Sequence, residues 1–369
     1  MSVTTLRRLR PHSSAVTSTW HSSVVALPAE RRAATPFHTR EWAAAWQAVR
    51  TEQVRSRHHL FLQDGPSQHR MSFYQVSNSP LWHAMEDDAS VTRPTFEADV
   101  LYGPSVYGEY GGLPGATVPV LAEAVDRGRA LARDIGTEAL VIANIPPAER
   151  TLWRQARTPD AEVVLYWAHR ARVGASVDEF IANFPSASTS REFRSQHRRG
   201  NDAGLTLKIA RGPELLPYVP EFAAQSVRAG DGHSPALYGT DMLAPLTRVP
   251  GAVGLLAEHS DGSLAGGFFC FRYGSALYLW TAAIDDARNG DLPIYSWLMY
   301  ESVKFAVDTG ASVLDAGRCD YAYKARLGML PVALTSAVYL TRPNPHLVSR
   351  LGALHTGLNQ HVLRAWNKA

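Results

Sequence analysis

Residues 293–315 read PIYSWLMYESVKFAVDTGASVLD, and this stretch predicts a helix that is followed directly by a buried strand. Pro293 suits the start of a helix, and Gly310 suits its end because glycine adopts a left-handed conformation at low cost. The segment SVLD is a short, mainly apolar run, which favours a strand. A helix that leads into a strand in this way is typical of folds that mix helices with a sheet.

The same helix, glycine and strand occur earlier in the chain. Residues 118–136 read VPVLAEAVDRGRALARDIG, with apolar side chains at helical spacing, and ALVIANI at 139–145 follows as an apolar strand. Aligning Gly136 with Gly310 gives an offset of 174 residues. Three further pairs are identical at this offset: Ala132 and Ala306, Asp134 and Asp308, and Leu140 and Leu314. The shared order and spacing predict an internal duplication.

A run of strands precedes each of these helices. Residues 252–284 predict three antiparallel strands, joined by turns at Ser-Asp-Gly (260–262) and Tyr-Gly-Ser (273–275). In the first half, HHLFLQDG at 58–65 and HRMSFYQVS at 69–77 carry a weaker form of the same pattern. We therefore predict an α/β (α+β) fold made of two similar domains.

Length and composition fit two globular domains, since 45% of the 369 residues are hydrophobic and 19% are charged. We predict a flexible extension at 1–34, domains at 35–175 and 176–345, and a C-terminal helix at 346–369. The first forty residues hold six arginines and one glutamate, so the net charge of +3 leaves the remaining chain slightly negative. That balance argues against a general RNA-binding protein.

The sequence also indicates the compartment. No stretch approaches the 18 or so apolar residues of a membrane-spanning helix, so we expect no membrane partner. The two cysteines, Cys270 and Cys319, lie far apart, which suits a reducing cytosol and provides no spacing for a metal site. We expect a cytoplasmic protein without a metal or a bound cofactor.

The predicted strand at 312–316 leads into a segment that crowds polar, aromatic and cationic side chains, DAGRCDYAYKARLG at 315–328. Folds of this class place their sites beyond strand ends, so we predict a site here. The candidate substrate-binding residues in and near it are Arg318, Tyr321, Tyr323, Trp280 and Tyr295.

Three residues of this segment are candidates for catalysis. A fixed cation such as Lys324 can stabilise the oxyanion that forms when an acyl group moves to an amine, and such a transfer needs no protein nucleophile. Asp315 and Asp320 are candidates for a base or an amine anchor. The alternatives are a surface position for Lys324 and a structural, hydrogen-bonding role for Asp315.

The loop YGPSVYGEYGG at 102–112 combines flexible backbone with projecting phenol groups. It occupies the place in the first half that corresponds to the region before residue 293 in the second. We assign it to binding of the acceptor substrate, with Tyr102, Tyr107, Glu109 and Tyr110 as candidates. The alternative is a tight crossover packed by its own rings.

A row of arginines lies between the two halves, in SREFRSQHRRG at 190–200. We predict a helix that Ser190 caps and Gly200 ends. Arg191, Arg194 and Arg198 share one face at three- and four-residue spacing, and Arg199 lies beside them. Such a row can bind phosphates, although a solvated helix face is the alternative.

The order of these motifs over roughly residues 35–345 resembles that of Fem-type aminoacyl-tRNA-dependent transferases and related tandem GNAT acyltransferases. The resemblance implies two GNAT-like domains related by a pseudo-twofold axis. It also implies an aminoacyl-tRNA donor that crosses the arginine face, and a lysine that helps the transfer. That role falls on Lys324, with Tyr323 as its aromatic neighbour, whereas Leu327 replaces the family's usual aromatic residue. We expect the acceptor to be a small-molecule amine of a natural-product pathway.

The sequence leaves two alternative functions open. The first is an acyltransferase of the same fold that takes its acyl group from coenzyme A or an acyl carrier protein. Conventional GNAT enzymes bind the pyrophosphate of coenzyme A through a glycine-rich loop, but this chain has RNGDLP at 288–293, where Asp291 and Pro293 disfavour an anion. The second is a tandem domain without activity that serves as a binding protein.

Overall fold

The computed structural model describes residues 16–24, 33–48, 53–77, 80–104, 108–229, 239–284, 289–318 and 321–367. Within these ranges the chain forms one twelve-stranded mixed sheet. The strands are β1 Thr17–His21, β2 Gln53–Asp64, β3 Ser67–Ser77, β4 Val100–Gly103, β5 Ala139–Ile145, β6 Ala161–Arg172, β7 Thr206–Arg211, β8 Ala252–Glu258, β9 Leu264–Tyr273, β10 Ala276–Ile284, β11 Val313–Asp315 and β12 Leu330–Leu340. The α-helices are α1 Arg40–Ala48, α2 Pro80–Asp88, α3 Val118–Asp134, α4 Pro147–Ala156, α5 Val177–Ala182, α6 Ala187–Asp202, α7 Val219–Ala229, α8 Thr240–Leu246, α9 Ile294–Asp308, α10 Tyr321–Arg326 and α11 Pro345–Trp366.

The strand order is symmetric about the centre of the sheet and reads β1-β2-β3-β4-β5-β12-β6-β11-β10-β9-β8-β7. In each half a parallel pair, β4 with β5 and β10 with β11, follows an antiparallel meander. The last strand of each half pairs with the sheet of the other half, β6 with β11 and β12 with β5, and these two strands also pair with each other. The predicted fold of two similar, symmetry-related domains is confirmed, and the exchanged strands join them.

The two faces of the sheet bury different cores. Along β5, Val141 packs into a core that extends through both halves on one face, whereas Leu140 and Ile142 pack under α3 on the other face. Along β8, Leu256 contributes to the shared core and Leu255 to the core under α9. The alternation follows from the two-residue period of a strand. Each half therefore has its own helix-covered core, and one continuous core joins the halves.

The helix and strand pattern of the duplicated units is observed as predicted. Helices α3 and α9 end just before Gly136 and Gly310, which have φ of 72° and 66°. The meander at 252–284 forms β8, β9 and β10, and the weaker pattern in the first half forms β2 and β3. These elements were predictable because their signals are local.

The prediction for the N-terminal region differs in part from the structure. Residues 17–21, part of the predicted flexible extension, form β1 and pair antiparallel with β2. Ser18 and Trp20 face the sheet side where Glu123 and Phe73 lie, so side-chain contacts hold this strand in place. The prediction was wrong for these five residues, while 1–15 and 25–32 lie outside the described residues. The other domain boundaries stay predictions.

Helix α6 starts earlier and ends later than predicted. Its N-cap is Ser186, whose hydroxyl accepts a hydrogen bond from the Thr189 amide, so Ser190 lies inside the helix. Gly200 also lies inside and is buried. A Cβ at this position would lie 2.3 Å from Cδ1 of Trp297 in α9. The glycine is therefore required for the close approach of two helices rather than for a helix end.

We expect the Gly200→Ala variant to be less stable by about 1–3 kcal/mol, because the added methyl group would force Trp297 or the helix to move. The matched control is Gly352→Ala, since Gly352 lies exposed in α11 and an added Cβ would meet nothing within 4 Å. That change should stabilise by about 0.5–1 kcal/mol through helix propensity. Urea denaturation of the two variants measures both effects. If both variants changed the free energy of unfolding by the same amount and in the same direction, a packing role for Gly200 would be contradicted.

Candidate active site

A buried cluster of charged residues lies at the centre of the sheet, where the two halves meet. Asp315 ends β11, and its register neighbours are Arg170 in β6 and Tyr278 in β10. Its Oδ2 accepts hydrogen bonds from the Tyr110 hydroxyl at 2.6 Å and from Nε of Arg170 at 2.8 Å. Its Oδ1 accepts the Gly317 amide at 3.1 Å. Both oxygens of this fully buried carboxylate are engaged, so Asp315 is suited to hold its neighbours in place.

The loop after β4 brings Glu109 into the same cluster from the first half of the chain. Glu109 is 1% exposed, and its Oε1 makes no hydrogen bond to any described residue. Burial and then the charge of Asp315 raise the pKa of the Glu109 carboxyl to about 8, against the opposing charges of Arg318, Lys324 and Arg170. A carboxyl group of this kind can exchange a proton near neutral pH.

Gly317 makes room for the Glu109 carboxylate. Gly317 has φ of 68°, and a Cβ there would lie 3.3 Å from both carboxylate oxygens of Glu109. The turn after β11 therefore passes directly beside a group that comes from the other half of the chain. The position needs glycine for its backbone conformation and for this close contact.

Lys324 extends from α10 into the cluster and is 1% exposed. Its Nζ donates hydrogen bonds to the carbonyl oxygens of Gly317 at 3.3 Å and Arg318 at 2.6 Å. The surface position considered for this lysine is therefore wrong. The ammonium group is held beside the Glu109 carboxyl, whose pKa its charge lowers. Its catalytic role stays a prediction.

Arg318 is positioned by an aromatic ring that sequence reasoning missed. Its guanidinium carbon lies 4.2 Å from the ring centroid of Tyr166 in β6, a cation–π contact. The same charge lowers the pKa of Glu109, so the group lies within the same electrostatic environment. The cluster therefore contains the cations of Lys324 and Arg318 beside the Glu109 carboxyl, whose Oε1 accepts no hydrogen bond from a described residue.

Strand β6 contributes two further residues that the sequence analysis did not single out. Arg170 binds Asp315, and its guanidinium lies 4.4 Å from the ring centroid of Tyr110. His169 is fully buried, and burial, together with the charge of Lys324, lowers its pKa to about 4 against the opposing effect of the Gly317 and Trp167 backbone. A His-Arg pair that directly follows the apolar run VVLYWA in this strand was the signal that could have identified both.

The arginine row lies on the outer side of α6. Phe193, His197 and Gly200 face α9, where the His197 ring stacks 3.8 Å from that of Tyr300. Arg191, Arg198 and Arg199 are exposed, and Arg194 is partly exposed. Arg194 donates to Asp178 at 2.8 Å, and Arg199 donates to the Asp291 carbonyl at 3.0 Å.

Comparisons with known proteins agree with this architecture. Residues 187–325, from the start of α6 to Ala325 in α10, match the acetyltransferase (GNAT) domain family. Over these residues the chain is similar to that family. Comparison with curated proteins gave no match.

Solved structures with a similar fold over most of the chain include FemX, with a TM-score of 0.56 at 13% identity, and coverage of 82% of this chain and 92% of that one. L-PGS from Bacillus licheniformis has a TM-score of 0.53 at 10% identity, with coverage of 78% and 86%. The C-terminal domain of a putative lysylphosphatidylglycerol synthetase from Agrobacterium fabrum has a TM-score of 0.50 at 10% identity, with coverage of 78% and 84%. The predicted relation to Fem-type and tandem GNAT proteins is confirmed at the level of fold.

Several predicted substrate-binding residues pack among other aromatic rings. Trp280 contacts Trp42 and Phe271, and Tyr102 contacts Trp82. Each of these contacts lies in the shared core. The contacts that the structure shows therefore explain Trp280 and Tyr102 as packing residues, in line with the packing alternative for the loop at 102–112.

The aromatic residues near Lys324 divide into two groups. The Tyr323 hydroxyl donates to Oγ of Ser296 at 3.1 Å, and its ring lies edge-on to Tyr295, so this pair packs toward α9. Tyr321 contacts the rings of Trp167 and His169 and borders the cluster. Tyr107 and Asp320 lie outside the described residues, so their predicted roles remain untested.

Two backbone amides at and just before the start of α9 donate within the chain, so they are not available to the pyrophosphate of coenzyme A. The Leu292 amide donates to the Asn289 carbonyl and the Ile294 amide to the Leu292 carbonyl, while Pro293 has no amide hydrogen. Arg288 lies outside the described residues.

Within the part of the chain that the structure describes, no group of His, Cys, Asp and Glu is placed to hold a metal ion. In those same ranges, every helix is too short or too polar to cross a bilayer.

Proposed function

We propose that this protein forms an amide bond by moving an aminoacyl group from aminoacyl-tRNA to the amine of a small molecule, in a natural-product pathway. The observation that carries the proposal is the buried cluster in which Lys324 and Arg318 lie beside the Glu109 carboxyl. Acyl transfer to an amine needs a cation near the carbonyl oxygen and a group that accepts the amine proton. The cluster contains both.

Each group has a defined part in the proposed step. The amine nitrogen attacks the ester carbonyl and forms the C–N bond, while its proton moves to Glu109. Lys324 and Arg318 stabilise the negative oxygen of the tetrahedral intermediate. The C–O bond to the ribose then breaks, and the departing hydroxyl group takes up the proton from Glu109. Asp315 holds Tyr110 and Arg170 and takes no proton.

The choice of donor rests on the outer face of α6 and on the Fem-type resemblance. That resemblance implies an aminoacyl-tRNA donor, and the structural similarity to FemX supports it. Exposed Arg191 and Arg198 lie one heptad apart on the helix that opens the matched GNAT domain. The engaged Ile294 amide at the start of α9, and Pro293, which has no amide hydrogen, disfavour coenzyme A as the donor.

The deciding experiment incubates the protein with a mixture of tRNAs charged with labelled amino acids, together with a panel of small amines. Ester consumption with a matching labelled amide supports the proposal, and ribonuclease treatment before mixing should abolish it. Transfer that survives ribonuclease, or transfer from acyl-coenzyme A or an acyl carrier protein, would support a thioester donor instead. Label recovered in phosphatidylglycerol vesicles added to one arm would replace the small-molecule acceptor with a lipid. Absence of turnover from every donor would favour a binding protein.

We expect the double variant Arg191→Gln, Arg198→Gln to bind uncharged tRNA about tenfold more weakly at 0.1 M salt, with a shallower salt dependence, because two phosphate contacts are lost. The control is Arg93→Gln, Arg133→Gln, which removes two exposed arginines from the first half. Filter binding over a range of salt concentrations measures both. Equal loss in the two double variants would indicate a general charge effect and contradict a specific face.

A further inference from the structure

One residue of strand β5, Asn144, holds the backbone on both sides of Glu109. Its Nδ2 donates a hydrogen bond to the Gly108 carbonyl at 2.8 Å, and its own carbonyl oxygen accepts the Gly111 amide at 2.9 Å. Asn144 is buried, so water does not compete for these two bonds. Because the Gly108 carbonyl belongs to the peptide group that leads into Glu109, the first bond fixes the orientation of the Glu109 backbone.

The backbone of Asn144 has an unusual conformation. Its φ is 55°, and Ser90 is the only other non-glycine residue with positive φ in the ranges that the structure describes. This left-handed conformation is unfavourable for a residue with a Cβ, although less so for asparagine than for most others. It occurs where β5 has one residue more than β12, between Ile142 and Ile145. Such a bulge turns a side chain in a direction that a regular strand does not allow.

The end of the loop that follows β4 packs closely on the same part of β5. A Cβ at Gly111 would lie 1.9 Å from the carbonyl oxygen of Ala143, so the two backbones are in direct contact. Nε2 of His38 also donates to the Gly111 carbonyl at 3.1 Å, since a carbonyl can only accept. Gly111 is therefore supported from two sides, whereas the bond to Gly108 comes from the side chain of Asn144. A glycine at position 144 would allow the same backbone conformation and lose that side-chain bond.

The environment of the Glu109 carboxyl depends on where its backbone lies. Both carboxylate oxygens lie close to Gly317, and burial is the largest cause of the raised pKa of about 8. Several charged and titratable side chains from both halves of the chain face it. They are Asp315, Arg318, Lys324, Arg170, Tyr110 and Tyr278. A rotation of the peptide group before Glu109 would move the carboxyl away from this position.

We propose that Asn144 is a positioning residue for the transfer, whose side-chain amide holds the peptide group between Gly108 and Glu109 so that the Glu109 carboxyl lies beside Lys324 and Arg318. Asn144 acts through the backbone of the loop and not through contact with the reacting atoms. The catalytic consequence rests on the proposed function. The position of Glu109, in contrast, can be measured without turnover.

The first test measures the titration of Glu109 in the full-length Asn144→Gly variant. Carbon-13 NMR of protein labelled at the glutamate carboxyl carbons reports the pKa, and Glu109→Gln identifies the signal. We expect the pKa of Glu109 to fall by about one unit or more from its parent value, because a carboxyl group that is less firmly held becomes more hydrated. The matched control is Ser90→Gly, which removes a side chain at the other left-handed position, φ 56°, on the surface after α2. It should leave the titration of Glu109 unchanged.

The second test is a double-mutant cycle with the charged tRNA and the amine identified in the donor experiment. Asn144→Gly should lower kcat about tenfold to a hundredfold with little change in KM, because a small displacement of the proton acceptor slows the transfer. The same substitution in a Glu109→Gln background should change kcat by less than about twofold. A merely structural role would lower kcat by the same factor in both backgrounds.

A second variant, Asn144→Ser, keeps the test decisive if Asn144→Gly does not fold. Ser90 shows that serine adopts this backbone conformation in the same chain, and the shorter serine side chain does not reach as far as the asparagine amide. Circular dichroism confirms that each variant is folded. An unchanged pKa of Glu109 in a folded variant, or equal losses of kcat in both backgrounds, would overturn the proposal. A lowered pKa in a protein that transfers no aminoacyl group would support the positioning role and reject the proposed function alone.

Discussion

The Lys324→Met variant is expected to lose about 10²- to 10³-fold in kcat while KM for the donor changes little. Methionine keeps much of the length and the apolar stem of lysine but removes the charge that we propose to lie beside the reacting carbonyl. Removing one group that stabilises an oxyanion has an effect of this size in other acyl-transfer sites. Steady-state kinetics with the charged tRNA and acceptor identified in the donor experiment measure the effect.

The matched control for this variant is Lys304→Met. Lys304 belongs to α9 in the same half, its side chain is 57% exposed, and it lies 3.8 Å from Glu301. Its loss should leave kcat within about twofold, as expected for an exposed ion pair. Circular dichroism of both variants separates lost activity from lost structure. Parent-level turnover in a folded Lys324→Met protein would remove Lys324 from the mechanism.

The Glu109→Gln variant is expected to lose about 10²- to 10⁴-fold in kcat, because glutamine cannot accept the amine proton. In the parent protein the carboxylate is the active form, so kcat should rise with pH and level off above about 8, where the raised pKa of Glu109 lies. The variant should lack this rise. A pH–rate profile that is the same in both proteins would contradict the role of Glu109 as the base.

Glu109 should also affect stability in a pH-dependent way. Its pKa is raised in the folded protein from an ordinary value of 4.5, so its favourable contribution is fully present below about pH 4.5 and is lost as pH rises through about 8. The free energy of unfolding of Glu109→Gln, relative to that of the parent, should therefore rise by about 1–3 kcal/mol from pH 5 to pH 9. The reason is that the variant no longer has to bury an ionised carboxylate. Chemical denaturation at both pH values measures the difference. Glu41→Gln, at an exposed position in α1, should show no such trend.

The candidate site was only partly predictable from the sequence. Asp315, Arg318 and Lys324 were found because they follow a strand within a few residues of one another. Glu109 and Tyr110 were found as part of a separate loop, but nothing local showed that they meet Asp315. Both carboxylate oxygens of Asp315 accept hydrogen bonds, which fits the structural alternative given for this residue, and this was visible only after Tyr110 and Arg170 were located beside it.

Helix α6, which carries the arginine row, was also only partly predictable from local sequence signals. The sequence predicted the helix, because its charge spacing is a local signal, but it took Ser190 as the cap in place of Ser186. It misassigned Gly200 as the helix end, because glycine carries the same signal whether it ends a helix or permits a close contact. Trp297, almost a hundred residues later, decides between the two.

The sequence by itself determined the repeated unit of meander, helix, glycine and strand, because periodicity, turn residues and glycine conformations act over a few residues. Only the tertiary structure decided that β6 and β12 exchange sheets and that Glu109 lies beside Gly317, Arg318 and Lys324. The physical reason is that strand pairing uses backbone hydrogen bonds, which are common to all residues. The packing of the whole molecule therefore decides which strands pair. It thereby also decides which side chains meet where the two halves of the sheet join.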